Sequence, residues 1–179
     1  MKAIFYVLAS LSAIGLVLSL ASHIAALLGT QGLLGDSTSM LHLGAMAVAI
    51  PAVLIANRLG KNAPIKTLWR TALRGCPSWM RYTTYAFLVY AVLNFVLFAL
   101  TASKAGGTGP MPPREVRGFS GHWMAFYSVS LAVYYSAAHL WDQGWDCRCP
   151  SGHTVPPFAN FCSQCGQPIT DPGSKLGAR

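Results

Sequence analysis

Four of the chain's five cysteines fall between residues 147 and 165, the stretch with the most specific chemistry in the sequence. Cys147 and Cys149 are separated by one residue, Cys162 and Cys165 by two with Gly166 following, and twelve residues lie between Cys149 and Cys162. A structural zinc ion takes four nitrogen or sulfur donors in a tetrahedron, and two such pairs close one site. A Cys-x-x-Cys turn followed by glycine lets two thiolates converge while backbone amides face the sulfurs. His153, four residues after Cys149, is a workable replacement for one member of the first pair. It reads otherwise as a surface residue of the same turn. The same donors would also hold iron. With four protein ligands no position stays open, so the expected metal is structural and not catalytic.

The stretch from about 145 to 169 resembles the short zinc ribbons appended to many prokaryotic proteins, whose second knuckle reads Phe-Cys-x-x-Cys-Gly. Phe161, Cys162, Cys165 and Gly166 follow that pattern, while the first knuckle departs from it in the single residue between Cys147 and Cys149. The resemblance implies a zinc ribbon and does not reach the rest of the chain. A tail of this size, 141–179, cannot build a sufficient hydrophobic core and needs a metal or a disulfide. A reducing cytoplasm disfavours the disulfide.

A second set of chemistry-bearing residues lies in apolar sequence. His23, His42 and His122 approach one end of the apolar segments, with Met46 four residues after His42. Ionisable groups inside a membrane are functional candidates by default. Imidazole and thioether suit copper, and two of the histidines could serve a haem. The plainer reading, and the preferred one, is of hydrogen-bonded histidines at helix ends. Acid–base catalysis lacks support, because no carboxylate falls within an expected helix. Arg114, Glu115 and Arg117 read as a solvated turn in a Gly- and Pro-rich loop.

These residues must be positioned by apolar elements. The 179 residues are 53% hydrophobic and only 10% charged, against about 25% charge in soluble domains. That excludes an ordinary soluble enzyme and a disordered chain. Four runs, about 3–28, 41–58, 82–101 and 121–140, approach the roughly 20 residues that cross a bilayer, and helices alone satisfy the backbone there. Ser120 is the expected N-cap of the fourth. Lys2 and the run after it imitate a signal peptide, but the run is long for one and reads as an uncleaved helix. The fold class is therefore an all-α membrane protein: a four-helix transmembrane domain, 1–140, with a small C-terminal zinc-ribbon tail, 141–179.

Thirteen Lys and Arg against five acids give a net charge of +8. Six of the basic residues (Arg58, Lys61, Lys66, Arg70, Arg74 and Arg81) stand between the second and third runs with no acid. The positive-inside rule puts that loop, and with it both termini, in the cytoplasm of a prokaryotic inner membrane. Within it Lys66, Arg70 and Arg74 form a cationic stripe, and Ile65, Leu68, Trp69, Ala72 and Leu73 an apolar one. That spacing predicts an interfacial helix over about 64–74 resting on anionic headgroups through Lys66, Trp69, Arg70 and Arg74. The expected partners are the bilayer and a cytoplasmic protein, with oligomers open and no nucleic acid. The expected role is non-enzymatic anchoring or assembly; the alternative is a redox or metal protein using His23, His42 and His122.

Overall fold

The computed structural model describes residues 2–30, 35–60, 65–101, 112–141, 147–155 and 161–169. Helix α1 spans Lys2–Leu27 and α2 spans Met40–Leu59, the latter entered through a 3-10 turn at Gly35–Ser39. A second 3-10 turn, Ile65–Thr67, runs into the short α3, Leu68–Ala72. Helix α4 spans Ser78–Thr101 and α5 spans Pro113–Leu140. Two short strands, β1 Cys147–Arg148 and β2 Thr154–Val155, follow.

The bundle is built inside out relative to a soluble one. Helix α5 is the common partner of α1, α2 and α4. Its neighbours turn small residues toward it: α1 buries Ala9, Ser12, Gly15, Ser19, Ser22 and Ala26, at steps of three and four. Their large apolar side chains face outward, among them Val7, Ile14 and Val17 on α1 and Val89, Val92 and Leu100 on α4. Small residues at helix contacts and apolar bulk on the outside are the pattern of helices packed in lipid, where close approach and not water exclusion drives association. Lys2–Leu27, Ser37–Leu59 and Ser78–Leu100 are each long and apolar enough to cross a membrane.

Helix α5 differs from the sequence expectation in two ways. It is not among the three apolar candidates, and it begins at Pro113, eight residues before the expected start. Pro113 at its first turn suits helix initiation, so Arg114, Glu115 and Arg117 are helical residues, not members of a solvated turn. The expectation of carboxylate-free helices is corrected with them, since Glu115 sits in the first turn. Ser120 is no N-cap; it lies within the helix and its hydroxyl donates to the Arg117 carbonyl at 3.1 Å. Gly118 and Gly121 do not end the helix, because they are places where α4 comes close. A Cβ on Gly118 would lie 2.6 Å from the Phe98 ring, and one on Gly121 2.8 Å from Asn94 Nδ2.

Tyr127 shows how α5 joins its neighbours. Its ring lies over Gly15 of α1, in the space a Cβ there would need, and its hydroxyl donates to the Leu41 carbonyl of α2 at 3.0 Å. Two turns later Tyr134 donates to the Val48 carbonyl at 2.6 Å, in the turn that Pro51 deprives of one backbone N–H. Asn94 of α4 donates to the Arg117 and Gly118 carbonyls at 2.8 and 3.1 Å.

A helix stands in the basic loop as expected but is shorter, its α-helical part limited to Leu68–Ala72; Pro64 lies outside the described residues. Its apolar stripe is divided. Ala72 and Leu73 are buried in the core, whereas Trp69 is 45% exposed beside the exposed Lys66 and Arg70. Tertiary packing explains the split: Gly75 N–H donates to Ser136 Oγ at 3.0 Å and Cys76 Sγ to the Ala132 carbonyl at 3.0 Å. These bonds draw residues 72–76 onto α5 and leave residues 66–70 facing out.

Candidate metal centre

The C-terminal module is two turns facing each other. In the first, β1 and β2 pair antiparallel with Cys147 opposite Val155 and Arg148 opposite Thr154. The turn between them is closed by Cys149 N–H to the His153 carbonyl at 3.0 Å and Gly152 N–H to the Cys149 carbonyl at 2.8 Å. Gly152 has φ +83°, a left-handed position that glycine takes at no steric cost, and it returns the chain so that His153 faces Cys149. In the second turn Gly166 N–H reaches the Cys162 carbonyl at 2.8 Å, Cys162 N–H reaches the Gln167 carbonyl at 2.9 Å, and Gly166 has φ +67°. A side-chain bond of 2.8 Å from Ser151 Oγ to Gln167 Oε1 ties one turn to the other.

This arrangement brings together one donor atom each from Cys149, His153, Cys162 and Cys165, all within 4.8 Å of one another. Cys149 Sγ stands 3.7 Å from Cys165 Sγ and 3.5 Å from His153 Nδ1, and Cys162 Sγ stands 3.8 Å from His153 Nδ1. Bonds of about 2.3 Å to sulfur and 2.0–2.1 Å to nitrogen at tetrahedral angles place ligand atoms about 3.8 Å (S to S) and about 3.6 Å (S to N) apart. The three distances match those edges, all four donors lie close enough to share one metal ion, and a set of three cysteines and one histidine is compatible with zinc. The side chain of Cys147, the fourth sulfur of the sequence expectation, lies outside the described residues. His153 occupies the fourth corner, the alternative that the sequence allowed. The signal for it was Gly152, the left-handed residue that aims the next side chain inward.

The polypeptide also prepares a thiolate. Desolvation works against the Cys162 anion, but the backbone N–H groups of Cys165 and Gln164 and the neighbouring Cys165 and Cys149 side chains outweigh it. The Cys162 thiol is thereby lowered to about 6. A ligand already deprotonated near neutral pH favours metal capture. Cys76, the remaining described thiol, is far from this chemistry: burial pushes it up to about 12 against the smaller opposing effects of Arg81 and the Ser136 contact.

The histidines of the bundle are not gathered. Among the described residues, His, Cys, Asp and Glu donors converge in threes or more only in the Cys/His module. His23 is buried between Ser120 Oγ, 2.6 Å from Nδ1, and the Tyr90 hydroxyl, 2.5 Å from Nε2. Because Ser120 donates to Arg117, His23 donates from Nδ1 and accepts from Tyr90 at Nε2, so both nitrogens are in use. His42 Nδ1 lies 3.1 Å from the Trp123 indole nitrogen. An indole N–H only donates, so Nδ1 is the acceptor and the neutral ring carries its proton on Nε2. Neither ring, so bonded, offers a metal a lone pair. His122 is packed edge-on against Phe95 at 4.8 Å with Nδ1 buried and unpartnered, and Met46 is half-buried on α2. Tyr90 and Trp123, the partners that decide these roles, carry no signal in local sequence because both act across helices. Comparison of the whole chain with protein-family models, curated proteins and solved structures finds no match in any of the three.

Proposed function

We propose that this chain is a four-pass membrane protein whose cytoplasmic tail carries a closed structural zinc site, and that the tail serves contact or assembly and not catalysis. The observation that carries the reading is the convergence of Cys149, His153, Cys162 and Cys165 within 4.8 Å of one another, with three of their separations at 3.5–3.8 Å. Four protein donors leave no position for a substrate or an activated water. The ion's role is to supply folding free energy to a module whose buried cluster, among the described residues, is Cys149, Val155 and Cys162, with Ile169 packed against it. Phe161, 65% exposed beside Cys162, is the natural contact residue for a partner.

The membrane part of the proposal rests on three apolar helices and on charge. Helix α5 has 28 residues, about 42 Å of helix, and its polar groups are sheltered by three neighbours, so it need not be apolar to cross with them. The basic residues of 58–81 then lie inside, with both termini and the zinc module.

Elemental analysis of the purified protein tests the centre: about one zinc per chain is expected, and none in the Cys162→Ser and Cys165→Ser variants. Cobalt(II) substitution reads the coordination. A four-coordinate spectrum with three sulfur donors and one nitrogen supports the structural site. A five-coordinate or water-bearing spectrum overturns it in favour of chemistry at the metal. Reporter fusions after residue 179 and within 102–111 should give opposite sidedness.

A further inference from the structure

A cleft of about 320 Å3 opens between the last turns of α4 and the first turns of α5, lined by Asn94, Leu97, Phe98, Arg114, Arg117 and Gly118. Its floor is fixed: Asn94 holds the Arg117 and Gly118 carbonyls, and Phe98 lies in the space that a side chain at residue 118 would fill. Two arginines three positions apart share one helix face and border the cleft, while Glu115 of the same turn does not line it. The other wall is apolar and continues onto the outward surface of α4, where Leu93, Leu97 and Leu100 are 58%, 57% and 78% exposed. The cleft therefore joins a cationic rim to a lipid-facing apolar track at the end of the Ser78–Leu100 span, the depth of the headgroups.

From this juxtaposition we infer that the α4–α5 cleft binds an anionic phospholipid, its phosphate held by Arg114 and Arg117 and an acyl chain laid along Leu97 and Leu93. The inference rests on the membrane reading above, but not on which side faces the cytoplasm. The positive-inside rule strengthens it. The expected outer side holds only Lys104, Arg114 and Arg117 as basic residues, and the two of them that are described both border this one cleft. Guanidinium groups match phosphate oxygens in geometry as well as charge, and the apolar wall beside them suits an acyl chain and not a fully hydrated anion.

The test uses the full chain in detergent with equal amounts of phosphatidylglycerol and phosphatidylcholine, the retained lipid being read by native mass spectrometry. Phosphatidylglycerol should be retained in preference, with Arg114→Gln and Arg117→Gln each lowering that preference about fivefold. Arg117→Lys should keep most of it. Leu97→Trp, which fills the cleft from an exposed position, should lower retention with both arginines intact, and gives an answer even where an arginine variant folds poorly. Undiminished retention in the double arginine variant overturns the assignment. So does a loss seen only in the Lys66→Gln/Arg70→Gln/Arg74→Gln variant, which would move the lipid to the opposite end of the bundle. Displacement of the lipid by inorganic phosphate as effective as by free phosphatidylglycerol would make it a free-anion site and overturn the lipid assignment. Detergent-solubilised protein has no sides, so a reversed reporter result would sink the orientation while leaving this experiment readable.

Discussion

The bundle and the Cys/His module solve the problem of holding a chain together in opposite ways. The bundle relies on what its contacts lack: Gly15, Gly118 and Gly121 omit side chains so that Tyr127, Phe98 and Asn94 can take their places. The described residues of the module bury only Cys149, Val155 and Cys162, with Ile169 against them, and on the proposed reading it relies on four donors arranged by two glycine-closed turns. One region should tolerate loss of a polar group and be sensitive to an added methyl. The other should be indifferent to most packing changes and lost with a single ligand.

The largest effect should follow from breaking the module. Chelation, or Cys162→Ser, is expected to remove the zinc-linked folding free energy, on the order of 10 kcal/mol. The tail beyond residue 145 should become protease-sensitive while the helical circular-dichroism melt is unchanged; a bundle that melts with the module would erase the comparison. The converse change is Gly15→Ala. Its Cβ would overlap the Tyr127 ring, so Tyr127 must move and release Leu41. We expect about 3 kcal/mol of destabilisation, read by thermal unfolding, with zinc content untouched.

Cys76 sharpens the contrast between thiols. Its ordinary value is 9.0 and the folded chain holds it at about 12, so between these pH values the unfolded chain loses a proton that the folded chain keeps. Stability contributed by the neutral thiol is complete below pH 9.0 and falls as pH rises, by at most about 1.4 kcal/mol per pH unit. Cys76→Ala should flatten that alkaline slope, and maleimide should reach Cys76 only after unfolding. The smallest effect belongs to single polar contacts: Tyr127→Phe should cost about 1 kcal/mol or less in the same melt.

The sequence carried some parts of this structure and not others, for identifiable reasons. Helices α1, α2 and α4 were legible because each must present a long apolar face, and a run of Leu, Val and Ile records that demand directly. The start of α5 was not, because Gly118, Ser120 and Gly121 look like loop residues one by one and make sense only with α4 laid against them. Cys162 and Cys165 were legible from spacing and the glycine after them. His153 was ambiguous, since its value as a donor depends on the return of the chain at Gly152. Trp69 reads as part of an apolar stripe, yet the bonds of Gly75 and Cys76 to α5 pull the other half of that stripe inward.

The central position of α5 bears on how the molecule is made. It is the last helix, among the described residues, to leave the ribosome, yet α1, α2 and α4 all pack on it. Until α5 has been synthesised, His23 lacks Ser120 and Gly15 lacks the Tyr127 ring, and the early helices keep only the smaller contact between α1 and α2. Final docking must await translation of α5, so truncation before it should leave loosely packed helices for quality-control proteases to remove.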